Sequence, residues 1–97
     1  MIAKNKTVNR RAVNFEVCDR PGREVFIVGT FNDWQPGKKM EDKNSDGVYR
    51  CRLLLPPGEY QYKFIIDGMW RPDPLNPNFL PNEFGSLNSF LVVENKQ

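Results

Sequence analysis

At 97 residues and a formal net charge of +2, from 14 basic and 12 acidic side chains, the chain is expected to form one domain, 1–97, with no cationic stripe of the kind that binds nucleic acid. It has no histidine, which excludes Ser-His-Asp and Cys-His catalysis, and its two cysteines lack metal-ligand spacing, which argues against a zinc site or a disulfide framework. Leu, Ile, Val and Phe make up 26 of the 97 residues, more than the fifth or so found in disordered chains, so a packed core is expected.

The opening MIAKNKTVNRR contains no apolar run of signal length, and no segment approaches the roughly 20 apolar residues that span a bilayer. A cytoplasmic protein without a membrane partner is therefore expected. The NKT at Asn5 fits a glycosylation acceptor but, without a secretory signal, is read as unmodified. Residues 1–8 and the last three read as frayed ends, and Cys18 and Cys51 as reduced thiols on different faces of their strands.

Along the chain the apolar period is two and no window keeps a helical period beyond one turn, which predicts an all-β fold. The first strand runs from about Ala12 to Cys18, with Val13, Phe15 and Val17 on one face. The second, Glu24 to Gly29, is apolar on both faces, as a covered central strand would be. A loop, GTFNDWQPGKKM, then carries Phe31 and Trp34. The third strand, Val48 to Leu55, points Tyr49, Cys51, Leu53 and Leu55 inward and Arg50 and Arg52 outward, until Pro56-Pro57-Gly58 stops it.

The fourth strand, Glu59 to Ile66, alternates Tyr60, Tyr62, Phe64 and Ile66 inward with Gln61, Lys63 and Ile65 outward. Asp67-Gly68 is the signature of a two-residue type I′ hairpin turn and sends the chain back through Met69 and Trp70. A crossing rich in proline (Pro72, Pro74, Pro77, Pro81) precedes a last strand from about Leu87 to Val93. Short strands with turn signals at this spacing predict an immunoglobulin-like β-sandwich of the early-set type.

Neither the one calcium-loop match nor the acidic residues make a site. DKNSDG, Asp42 to Gly47, begins like a calcium-binding loop, but the twelfth position, where a bidentate Glu belongs, is Leu53 inside a strand. Asp33, Asp42, Asp46, Asp67 and Asp73 all sit where turns favour Asp, and a 97-residue sandwich has little material with which to wall the cleft across which a glycosidase's two carboxylates face. The chain is thus read as not an enzyme, with no cofactor and no metal.

What remains is the pair of tryptophans and their polar company. An indole offers a broad apolar face that stacks on the C–H face of a pyranose ring, and sugar hydroxyls then need donors and acceptors such as Lys63, Asn32, Asn88, Ser86 and Gln61. By strand alternation Lys63 and Trp70 are expected on one open surface. The competing reading is that either indole caps the end of the sandwich as core.

The segments VFIVGTFNDW, GVYRCRLLLPPGEYQYKFIIDGMWRPDP and NEFGSLNSFLVV, in this order, resemble carbohydrate-binding module family 48, which includes the glycogen-binding domain of the AMP-activated protein kinase β-subunit and the N-terminal domains of isoamylases. The resemblance covers about residues 12–94. It implies a β-sandwich that binds α-1,4-linked glucans, glycogen or starch or their maltooligosaccharides, without catalysis. On the family's motifs the binding tryptophans fall on Trp34 and Trp70 and the lysine on Lys63. A leucine, a threonine and an asparagine of the last loop in the kinase subunit match Phe84, Ser86 and Asn88; Phe84 departs from that pattern, as a third stacking surface or as packing beneath the loop. Family members are usually parts of larger proteins, so the chain reads either as an independent glucan-binding protein or as a targeting subunit for a glycogen-metabolising enzyme. The alternative is an immunoglobulin-like module that docks a protein and binds no glucan.

Overall fold

The computed structural model describes residues 10–95; the Asn5 motif, residues 1–8 and the last two residues lie outside them. Among the described residues the strands are β1 (Arg11–Cys18), β2 (Val25–Gly29), β3 (Lys38–Lys39), β4 (Val48–Leu55), β5 (Gly58–Ile66), β6 (Met69–Arg71), β7 (Phe79–Pro81) and β8 (Leu87–Val93), with a 3-10 turn at Thr30–Asn32. The main strands start and stop within a residue of the sequence expectation. β3 and β7, at two and three residues, are too short to show a period and are absent from the sequence reading.

β1 and β4 form a two-stranded antiparallel sheet, and the second sheet runs β3-β2-β5-β8-β7, with β6 also on β5. The two face each other as a β-sandwich. β1 and β4 contribute Phe15, Val17, Tyr49, Cys51 and Leu55 to the core, and the larger sheet contributes Val25, Ile27, Tyr62, Phe64, Ile66 and Val93. Tyr62 ties the layers together, with its ring edge-on to Phe15 at 5.0 Å. Each such fully buried apolar side chain stabilises the fold by about 1.5–3 kcal/mol. In the β1–β4 ladder Cys18 lies opposite Val48 and Cys51 opposite Phe15. Both thiols are free, Cys18 exposed and Cys51 buried, because residues an odd number apart on a strand face opposite ways.

β5 organises everything that follows. Along one edge it pairs with β2, from Val25↔Ile66 to Gly29↔Tyr62. The other edge is divided: β8 takes Gly58 to Tyr62 and β6 takes Phe64 to Ile66. Lys63 falls in the gap between these two partners. Asp67 and Gly68 have φ of 48° and 83°, the positive values that a type I′ turn needs, and this turn sets Trp70 opposite Ile65.

The expectation of an open outer face on β5 needs correction. Lys63 and Ile65 alternate outward as expected, yet they are only 6% and 9% exposed. Trp70 returns directly opposite Ile65, and the last loop brings Ser86 onto the Lys63 ammonium. Alternation along a strand fixes the face but not what covers it.

Candidate functional site

The loop after β2 is folded by its own polar groups. Asn32 accepts a 2.9 Å hydrogen bond at Oδ1 from the Gly29 N–H and donates from Nδ2 to the Ile27 carbonyl at 3.3 Å. The Trp34 N–H then donates to the Gly29 carbonyl at 2.9 Å. Gly29 is required by close approach, since a Cβ there would run into the Gln61 carbonyl and the Tyr62 Cβ. Asp33 and Trp34 follow in the left-handed region, with φ of 55° and 61°. For a residue as bulky as Trp this conformation costs about 1–2 kcal/mol, and such strain clusters where function requires a side chain in a fixed place.

The loop between β7 and β8 is built on Asn82. Its Oδ1 accepts from the N–H groups of Phe84 and Ser86 at 2.9 and 3.1 Å, and its Nδ2 donates to Ser86 Oγ at 2.8 Å and Asn88 Oδ1 at 3.0 Å. Asn88 passes the network on from Nδ2 to Gln61 Oε1 at 3.0 Å. From the other side Lys63 Nζ donates to Ser86 Oγ at 2.8 Å. Lys63 has no other hydrogen bond or ion pair among the described residues, so two of its three N–H donors remain for a ligand, and the Ser86 hydroxyl keeps its own proton to give.

The proline-rich crossing is anchored below. The Asp73 N–H donates to the fully buried Ser89 Oγ at 2.7 Å, and Tyr62 donates its hydroxyl proton to Asp73 Oδ2 at 2.7 Å. Asn76 Nδ2 donates to the Tyr62 hydroxyl oxygen at 3.1 Å and to the Phe90 carbonyl at 2.9 Å. Burial first, and the adjacent Asp73 carboxylate second, push the Tyr62 phenol far above its ordinary pKa. It stays a neutral donor.

Together these elements enclose an open hollow of about 790 Å³ whose lining includes Trp34, Lys63, Trp70, Phe84, Ser86 and Asn88. Seven of the eight candidate residues named from the sequence, Gln61 among them, therefore meet on one surface. Trp34 is half-buried, Trp70 is 49% exposed and Phe84 is 85% exposed, so neither Trp70 nor Phe84 is core. The remaining candidate, Asn32, lies outside the lining with its carboxamide committed to the loop backbone; it shapes the turn that presents Trp34.

Sequence reasoning missed Thr30, Asn82 and Glu83, which also line the hollow. Asn82 had a readable signal in N-x-x-G, the side-chain-capped turn. Thr30 Oγ1, accepting from the Gln61 N–H at 3.2 Å, had none. Asp42, Asp46 and Asp73 serve their own turns as expected: Asp42 accepts from the N–H groups of Asp46 and Gly47 at 3.0 and 2.8 Å, Asp46 from Val48 at 3.1 Å and Asp73 from Leu75 at 2.9 Å, whereas the Asp67 carboxylate reaches across to the Glu24 N–H and Arg23 at 2.8 Å each. Arg23, with the Glu24 N–H, holds the Asp67 carboxyl below the usual carboxylate range.

Residues 13–97 match the family model for the glycogen recognition site of AMP-activated protein kinase. The chain is 36% identical over 88 residues to Protein FLOURY ENDOSPERM 6, chloroplastic, of Oryza sativa subsp. japonica, covering 91% of this chain and 16% of that protein. It is 40% identical over 73 residues to human 5′-AMP-activated protein kinase subunit beta-2, covering 75% of this chain and 26% of that subunit. Among solved structures, a maltogenic amylase from S. marinus superposes with a TM-score of 0.74 at 26% identity, over 90% of this chain and 14% of that one. The chain thus spans about a quarter or less of the length of these relatives, and it belongs to the glycogen-recognition family. The expected cytoplasmic location is corrected by the rice relative, a chloroplastic protein: a folded module of this kind carries no address, and the lack of a signal-like run does not set a compartment.

Proposed function

We propose that the hollow between Trp34, Trp70 and the Asn82–Asn88 loop holds an α-1,4-linked glucan of the glycogen and starch type, without chemical change. The observation that carries this reading is the convergence of two indoles and a phenyl ring, drawn from the loop after β2, from strand β6 and from the loop before β8, around the buried Lys63 side chain. Trp34 and Trp70 stack on glucose rings, each contact contributing about 1–3 kcal/mol by analogy with base stacking on aromatics. The two remaining Lys63 donors and the Ser86 hydroxyl bond the ring hydroxyls. Asn88 has one N–H and one lone pair left for ligand and mainly aligns the network. Maltooligosaccharides fill the same surface as the polymer.

Retardation of the chain in native gels containing glycogen or amylopectin tests the reading, with Trp70→Ala as the control. Retardation of the parent and none of the variant is expected. Since a neutral glucan releases no counterions, affinity should change little between low and moderate salt. A parent that migrates alike with and without polymer would leave the hollow without this role.

A further inference from the structure

A second hollow, of about 820 Å³, lies where β3 approaches β4 and shares no lining residue with the first. Phe15 and Cys51 form its floor, and Lys38, Lys39, Lys43, Arg50 and Arg52 stand around it against Glu16 and Glu41. Arg50 pairs with Glu16 at 3.0 Å and Lys43 with Glu41 at 3.8 Å. Lys38, Lys39 and Arg52 have no ion pair among the described residues, so three positive charges are uncompensated.

The floor of this hollow runs beside an unfinished sheet edge. The N–H and C=O of Arg50 exchange hydrogen bonds with Glu41, at 2.9 and 3.0 Å, on the side of β4 away from β1. In an antiparallel ladder alternate residues point their backbone groups to the same side. Arg52 and Leu54 therefore turn their N–H and C=O groups to that same edge, where no strand among the described residues pairs with them. The chain that begins the pairing at Glu41 turns away to join β2 through Lys38 and Lys39.

We propose that this edge takes an extended acidic peptide from a partner, added as a strand beside Arg52 and Leu54 and held by the uncompensated cations. Strand addition supplies main-chain hydrogen bonds, and the surrounding charges choose among peptides. A second copy of this chain does not fit, because it would set one cationic edge against another. Nor does the chain's own start, whose first nine residues carry Lys4 and Lys6 and no acid.

The probe is an eight-residue peptide of alternating Glu and Val, titrated into the 97-residue chain by fluorescence anisotropy and followed by amide hydrogen exchange. Binding should weaken about tenfold between 50 and 500 mM salt, and the amides of Arg52 and Leu54 should gain protection. Arg52→Glu should lose at least about tenfold in affinity. Two further peptides carry N-methyl groups on alternate amides, one set on each edge; one must lose binding at least tenfold and the other must keep it. Equal binding by both, no binding of the parent peptide, or equal binding of its Lys-Val counterpart overturns the proposal. So does tighter binding of a thymidine oligonucleotide without protection at Arg52 and Leu54, which would mark a general anion patch. Saturation with maltoheptaose should leave peptide binding unchanged, so failure of the glucan reading and failure of this one are told apart.

Discussion

Lys63 Nζ lies 2.8 Å from Ser86 Oγ, a contact between the gap in the β5 edge and the loop before β8. It places Lys63, a residue only 6% exposed, on the lining of the hollow between Trp34 and Trp70 with a neutral partner. A buried charge without a counter-charge is a poor contributor to stability, so its place there supports the proposed binding role. Lys63→Met should weaken binding of maltoheptaose or glycogen by roughly 10- to 150-fold, from the loss of charged hydrogen bonds worth about 1.5–3 kcal/mol. The melting temperature should stay level or rise. This is a larger effect on binding than an exposed lysine would give, and calorimetry of both quantities on one variant checks it.

Trp34 sits at φ 61°, so the two smallest replacements should diverge. Ala keeps the left-handed strain and Gly relieves it, and Trp34→Gly should therefore be more stable than Trp34→Ala by about 1 kcal/mol, the reverse of the usual order. Both should lose the stacking contact and about 5- to 150-fold in affinity. Urea unfolding of the pair measures the first claim, and a maltoheptaose titration the second.

How far the site was legible follows from which interactions are local. Asp67-Gly68 fixes its own turn and hence the register, so the placement of Trp70 opposite Ile65 follows from four residues. The alternation of β5 likewise put Lys63 on the correct face. Its burial was not legible, because the cover comes from Ser86, 23 residues away in sequence. Asn32 misled for a related reason: a carboxamide beside a tryptophan suits a sugar hydroxyl or a backbone turn equally well, and only the positions of the Gly29 N–H and the Ile27 carbonyl decide for the turn. Gly29 reads as an ordinary strand end until β5 is seen to approach it.

Asp67 offers a test by pH. Arg23 and the Glu24 N–H hold its carboxyl below the ordinary value, so the stabilisation is present above the unfolded-state pKa, near 3.8, and is lost as pH falls through the lower folded-state value. Asp67→Asn keeps an Asn-Gly type I′ turn and removes only the charge. The variant should be less stable than the parent at pH 7 and indistinguishable from it near pH 2. The group is exposed, so the difference should be small, and thermal melts at the two pH values show whether it closes.

Phe84 and Asn82 share one loop and should fail in different ways. Phe84 is 85% exposed at the rim of the hollow, so Phe84→Ala removes almost no packing and should leave the melting temperature within a degree or so. If the ring serves as a third platform, affinity for glucan falls by about 5-fold or more. The Asn82 side chain makes four hydrogen bonds to Phe84, Ser86 and Asn88, three of them exposed to solvent, and Asn82→Ala should cost about 0.5–1.5 kcal/mol of stability, the net worth of a typical hydrogen bond. It should also weaken binding, because Ser86 and Asn88 lose their alignment. A Phe84→Ala variant that melts several degrees low with unchanged affinity would return the ring to packing and leave the two indoles as the only platforms.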